Sequence, residues 1–133
     1  MSNANVATVE SMYAAFGRGD VATIIGALTP DIDWTCNGRQ SDFPTFGSRK
    51  GPNEVTGFFK TVAETNDFSE FSPREFYADG DKVIVLGHYK ITVKKTGKKI
   101  ASDWCHVFTF KTGKVAKFQE FLDTAQAAEA FRG

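Results

Sequence analysis

The sequence predicts an α+β domain in which a curved antiparallel sheet closes as a cone against three N-terminal helices. Two observations carry this. Apolar residues in the first half recur at helical spacing, whereas from about residue 71 they alternate and are punctuated by Gly-containing turns. The chain also holds 13 Phe in 133 residues, which suggests a large core, a lined cavity, or both. That length suits one domain over 1–133, and no linker or internal repeat interrupts it.

The elements follow in order. NVATVESMYAAFG (5–17) puts Val6, Val9, Met12, Tyr13 and Phe16 on one helical face. Gly17 and Gly19 end that helix, Asp20 caps a short second one (VATIIGAL), and Pro30 stops it. IDWTC reads as a short strand with Trp34 and Cys36 on one side. Residues 37–51, rich in Gly and Ser, read as a loop, and Pro52 opens a third helix whose face is Val55, Phe58, Phe59 and Val62. Strands follow: PREFYA, then KVIVLGHYKITVKK, IASDWCHVFTF and VAKFQEFLD, joined by the turns DGD, TGKK and KTGK. An Ala-rich segment, TAQAAEAF, closes the chain as a helical turn.

Charge and composition narrow the function. Lys+Arg and Asp+Glu balance at 16 each, so no global field favours nucleic acid or an anionic membrane. No apolar run approaches the roughly 20 residues of a membrane span. MSNANVATVESMY lacks the charged and apolar regions of a secretory signal. Two cysteines, Cys36 and Cys105, make neither a disulfide framework nor a metal-ligand spacing, and the default setting is the reducing cytoplasm.

The last hairpin raises the chemical question. By alternation Trp104, His106, Phe108 and Phe110 share one face. A two-residue turn would bring Lys117, Gln119 and Phe121 onto that face, whereas a three-residue turn with left-handed Gly113 would bring Phe118, Glu120 and Leu122. The second register buries fewer polar groups and is the one expected. Glu120 and His106 then meet on adjacent strands among aromatic rings. A carboxylate there is costly unless paired, and a carboxyl beside an imidazole is the equipment of general acid–base chemistry. The plainer alternative is a satisfied structural pair. By the same alternation Tyr89 points inward with Val83, Val85, Gly87 and Ile91, and Gly87 leaves room in the wall. His88 points the other way, so it shares no metal site with His106. The KKTGKK tip reads as a solvated turn. The outer face, with Ile84, Leu86, Cys105, Val107 and Phe121, is apolar enough to predict a two-fold dimer.

Four segments, YAAFGRGD, LTPDIDW, GPNEVTGFF and FTFKTGKVAKFQEF, together resemble the nuclear transport factor 2-like (cystatin-like) superfamily, and within it the SnoaL-like polyketide cyclases and steroid Δ-isomerases. The resemblance implies a cone-shaped barrel with a deep pocket, commonly a homodimer, and chemistry without a cofactor or metal. The cyclase pattern of a last-strand acid with a preceding-strand His falls on Glu120 and His106, with Glu in place of the usual Asp. The isomerase pattern transfers poorly, since its Tyr falls on Met12 (Tyr13 is one position off), its base on Cys36 and its oxyanion-binding Asp on His106. Of the limonene epoxide hydrolase set only the acid remains.

The resulting expectation is a pocket for a small apolar or carbonyl-bearing molecule. Glu120 is the expected base, and His106 holds or protonates the enolate oxygen. The expected walls are Tyr13, Trp34, Cys36, Phe58, Phe59, Tyr89, Trp104 and Phe118. The alternative is a non-catalytic ligand-binding or dimerisation domain of the same fold.

Overall fold

The computed structural model describes residues 4–132. Helix α1 (Ala4–Gly17) buries Val9, Met12 and Ala15 against the sheet. Gly19, at φ +73°, turns the chain, and Asp20 caps α2 (Val21–Gly26) by accepting from the Thr23 backbone and hydroxyl at 3.1 and 2.6 Å. Helix α3 (Gly51–Thr65) begins with Pro52 in its first turn and buries the predicted stripe, Val55, Phe58, Phe59 and Val62.

Six strands are found among the described residues: β1 (Leu28–Cys36), β2 (Gly47–Lys50), β3 (Asn66–Asp79), β4 (Lys82–Val93), β5 (Lys99–Lys111) and β6 (Lys114–Leu122). They form one curved, unclosed sheet in the order β2-β1-β6-β5-β4-β3. Every neighbouring pair is antiparallel except β1 and β6, which run parallel, so the expected antiparallel sheet has one exception. The reason is topological: β3 to β6 form a meander that carries the chain back beside its first strand in the same direction.

Three boundaries differ from the sequence reading. Pro30 lies inside β1 and does not end α2. It sits in the irregular stretch between the Leu28 and Asp33 pairings, where the missing N–H interrupts no ladder. Residues 47–50, read as loop, pair with β1, because a backbone ladder can form where a Gly-Ser-Arg-Lys sequence gives no alternation signal. Strand β3 starts directly after α3, earlier than PREFYA. Pro73 is tolerated because β3 is an edge strand with a register shift beside that residue.

The Ala-rich tail is a two-turn helix, α4 (Thr124–Phe131), capped by Asp123. The KKTGKK tip is more than a solvated turn. Lys94 Nζ donates to the Ala63 carbonyl in the last turn of α3 at 2.7 Å, and Lys98 Nζ to the Arg132 carbonyl just past α4 at 2.9 Å. Thr96 Oγ1 donates to the Ala130 carbonyl at 2.6 Å. Cations and hydroxyls there satisfy carbonyls that no helical N–H can reach. The tip therefore ties the ends of α3 and α4 to the β4–β5 turn.

Candidate functional site

The β5–β6 hairpin brings the predicted pair together, but by another route. Thr112 and Gly113 both have positive φ (53° and 81°), so the turn has two residues with Lys111 opposite Lys114. That register alone would turn Lys117 inward. A one-residue bulge at Ala116 corrects it: Phe110 pairs with Val115, whereas Phe108 pairs with Phe118 and His106 with Glu120. Val115 and Phe118, three positions apart, are both buried as a result. The register is the expected one, and the three-residue turn is not.

His106 Nε2 lies 2.7 Å from Glu120 Oε2, and His106 Nδ1 lies 2.7 Å from the Tyr13 hydroxyl. An ionised carboxylate only accepts, so a neutral His106 donates through Nε2–H to Glu120 and accepts at Nδ1 from Tyr13. This chain of three groups links α1 to both hairpin strands. Burial first, and the Glu120 charge second, push the Tyr13 hydroxyl well above the usual phenol range and keep it protonated. The imidazole is clamped flat by Trp104, stacked at 3.9 Å with an interplanar angle of 20°. On the other side of β6, Cys36 pairs with Glu120 across the parallel ladder. Its thiol is pushed up by burial and by the Glu120 carboxylate that accepts from it, against a smaller opposing pull from Arg49.

The cavity beside this chain holds about 90 Å³. Tyr13, Trp34, Phe58, Phe59, Tyr89 and Phe118 line it as predicted, together with His106 and Glu120. Two predicted wall residues do not. Trp104 sits behind His106, its ring filling the space over Gly87. A Cβ built on Gly87 would come within 2.3 Å of that indole, so the glycine admits the protein's own ring instead of leaving room for a ligand. Cys36 is fully enclosed behind Glu120 and reaches no open space.

Other residues of the site escaped the sequence reading. Phe43 and Phe46, from the loop before β2, also line the cavity, with Phe43 edge-on to Phe131 of α4 at 5.6 Å. Arg49 shapes that loop from inside. It donates to the Thr45, Phe46 and Pro44 carbonyls at 2.7, 3.0 and 2.9 Å and lies 5.1 Å from the Phe58 ring centre. Its position in a Gly-rich loop gave no sign that it would be buried. Asp33, Arg39 and Asp42 stay outside the cavity, paired as Lys50–Asp33 and Arg39–Asp42. His88 faces outward, 2.8 Å from Asp103.

Comparison with known proteins places this geometry. A model of the SnoaL-like domain matches residues 9–118, which takes in Tyr13 and His106 and stops just short of Glu120. A nuclear transport factor 2-like protein of unknown function from Burkholderia pseudomallei superposes with a TM-score of 0.90 at 30% identity, covering 100% of both chains. TerC, co-crystallised with polyporic acid, superposes with a TM-score of 0.87 at 24% identity over 98% of this chain and 100% of that one. The uncharacterized protein Rv0034 of Mycobacterium tuberculosis is 22% identical over 97% of this chain and 96% of its own length. The fold, the matched domain and the 30% relative agree: this chain belongs to the SnoaL-like family of the nuclear transport factor 2-like superfamily.

Proposed function

We propose that this protein is a cofactor-independent isomerase or cyclase that moves a proton next to a carbonyl, with Glu120 as the base. The observation that carries the reading is the Tyr13–His106–Glu120 chain opening onto an apolar cavity. A base held by a fixed partner needs little reorganisation, and a dry site strengthens its interaction with a polarised C–H bond. His106 takes a different part from the one expected. Both its nitrogens are engaged, so it orients Glu120 and does not hold the enolate oxygen directly. Its test is α-proton exchange in deuterated water, followed by NMR over a set of small enolisable ketones. Glu120→Gln should abolish exchange while the fold survives, and exchange at the native rate in that variant would remove Glu120 as the base.

A second reading is favoured by the rings of Phe43, Phe46, Phe58, Phe59 and Phe118, which occupy much of the cone. In it the protein is a non-catalytic binding or dimerisation domain, and no ketone exchanges. Either reading includes a homodimer through the outer sheet face. Leu86 and Phe121, 38% and 40% exposed, flank Cys105 on neighbouring strands there. Both cysteines are free thiols, in keeping with a reducing cytoplasmic setting.

A further inference from the structure

With His106 occupied at both nitrogens, the cavity needs another donor if a ligand oxygen is to be held. Most polar groups around the cone already have partners. Among the lining side chains that do not are Trp34, whose indole lies flat on Phe118, and two on the far strands of the sheet. Tyr89 is buried, yet its hydroxyl has no hydrogen-bond partner among the described residues, and its ring contact is an edge-on one with Phe68. Asn66 is buried where α3 passes into β3, and its Oδ1 lacks any partner. Both face the cavity from β3 and β4, the side of the sheet away from β6 and Glu120.

Such groups are a liability to the empty protein. A buried polar group without a partner costs roughly 1–3 kcal/mol, and native structures contain few. Asn66 Oδ1 carries that cost, and leucine at 66 would fill the same space without it. Two unpaired groups lining one apolar cavity are what a ligand with two oxygens would complete. Burial first, then the charges of Glu120, Cys36 and Asp123, push the Tyr89 hydroxyl up, so it remains a donor throughout the working pH range.

We propose that Tyr89 is the carbonyl-oxygen donor of the site, that Asn66 accepts a hydroxyl of the same ligand, and that the ligand is an acyclic hydroxyketone smaller than benzene. The size limit comes from the cavity of about 90 Å³, which is below the volume known to hold a benzene molecule. The proposal rests on the acid–base reading for its chemical step. There the Glu120 carboxylate takes the α-proton, the C–H pair becomes the C=C bond, and the carbonyl π pair moves onto the oxygen held by Tyr89. Glu120 then returns the proton to carbon, so nothing is oxidised or reduced.

Binding tests it apart from turnover. Butanone, 4-hydroxybutanone and 2-methylbutene, an apolar isostere of butanone, would be titrated into the native protein, Tyr89→Phe and Asn66→Leu by calorimetry. The native protein should prefer butanone to 2-methylbutene about tenfold, the worth of one hydrogen bond, and 4-hydroxybutanone by about tenfold more. Tyr89→Phe should erase the first preference, and Asn66→Leu the second. Neither variant should melt lower than the native protein, because neither side-chain group removed has a partner to lose. A merely structural tyrosine or asparagine would instead lower the melting temperature and leave the preferences alone. 2-Methylbutene binding as tightly as the ketones, either variant retaining its preference, or no binding of any of the three at millimolar concentration would each overturn the proposal. Glu120→Gln separates the two ideas. If it binds the ketones normally and still exchanges their α-protons, the base assignment fails while the Tyr89 assignment stands.

Discussion

Two histidines on neighbouring strands each sit within 2.8 Å of a carboxylate, and the two pairs could hardly differ more in their surroundings. His106 and Glu120, on the inner face, have side chains only 6% and 16% exposed, and a third group, Tyr13, extends the chain. On the outer face His88 is 19% exposed and Asp103 is 88% exposed. Distance alone would rank them equal. What separates them is the dielectric around each pair and what would be left if one partner were removed. Water can take over the role of His88 at Asp103. On the inner face only the Cys36 thiol, a weak donor, also reaches Glu120, and it cannot replace an imidazole N–H.

The largest expected effect follows from that asymmetry. His106→Ala leaves a largely buried carboxylate without its partner, the Tyr13 hydroxyl without its acceptor and Trp104 without the ring it stacks on. Breaking a buried pair this way costs about 3 kcal/mol, after allowing for the partial exposure of Glu120. Urea unfolding should show this as a lower midpoint. His88→Ala should shift stability by less than about 0.5 kcal/mol, within the range of exposed pairs. Equal losses in the two variants would sink the comparison.

Next in size is Gly87→Ala, which probes the aromatic stack behind the inner pair. The added Cβ meets the Trp104 indole at 2.3 Å, and that ring is held between Phe71, stacked at 5.2 Å, and His106. Overpacking with no room to yield costs roughly 1–3 kcal/mol. Because the displaced ring presses on His106, α-proton exchange should fall in the same variant. A stable protein with normal exchange would mean that Trp104 has another rotamer available.

Much of the inner face was legible in the sequence because strand alternation and the aromatic residues agree. Positions 83, 85, 89 and 91 on β4, and 104, 106 and 108 on β5, follow from parity alone. On β6 parity misleads. The turn has two residues, and only the bulge at Ala116 rescues the register, so the outcome could be argued from burial while the means could not. Tyr13 was visible as an apolar wall but not as the partner of His106, because 93 positions separate them and no local pattern encodes that contact. Trp104 and Cys36 were read as wall for the converse reason. Parity gives the face of a side chain and says nothing of the layer behind another side chain that it occupies.

The smallest effect concerns the rim, where acids act on stability without taking part in the site. Asp123 caps α4 and Asp20 caps α2. Each is held below the usual carboxylate range, Asp20 chiefly by the Thr23 side chain and backbone and Asp123 by the Gln126 backbone and side chain. A carboxyl whose folded pKa is depressed contributes stability that is complete above its ordinary value, about 3.9, and is lost as pH falls through the lower folded value. Asp31 and Glu70 are lowered as well and add to the same window. Melting temperature should therefore hold down to about pH 4 and fall below it. Asparagine still caps a helix but does not titrate there, so Asp20→Asn with Asp123→Asn should match the native protein at neutral pH and lose less below pH 4. An unchanged acid slope in that double variant would move the acid sensitivity away from these two caps, leaving Asp31 and Glu70 to explain it.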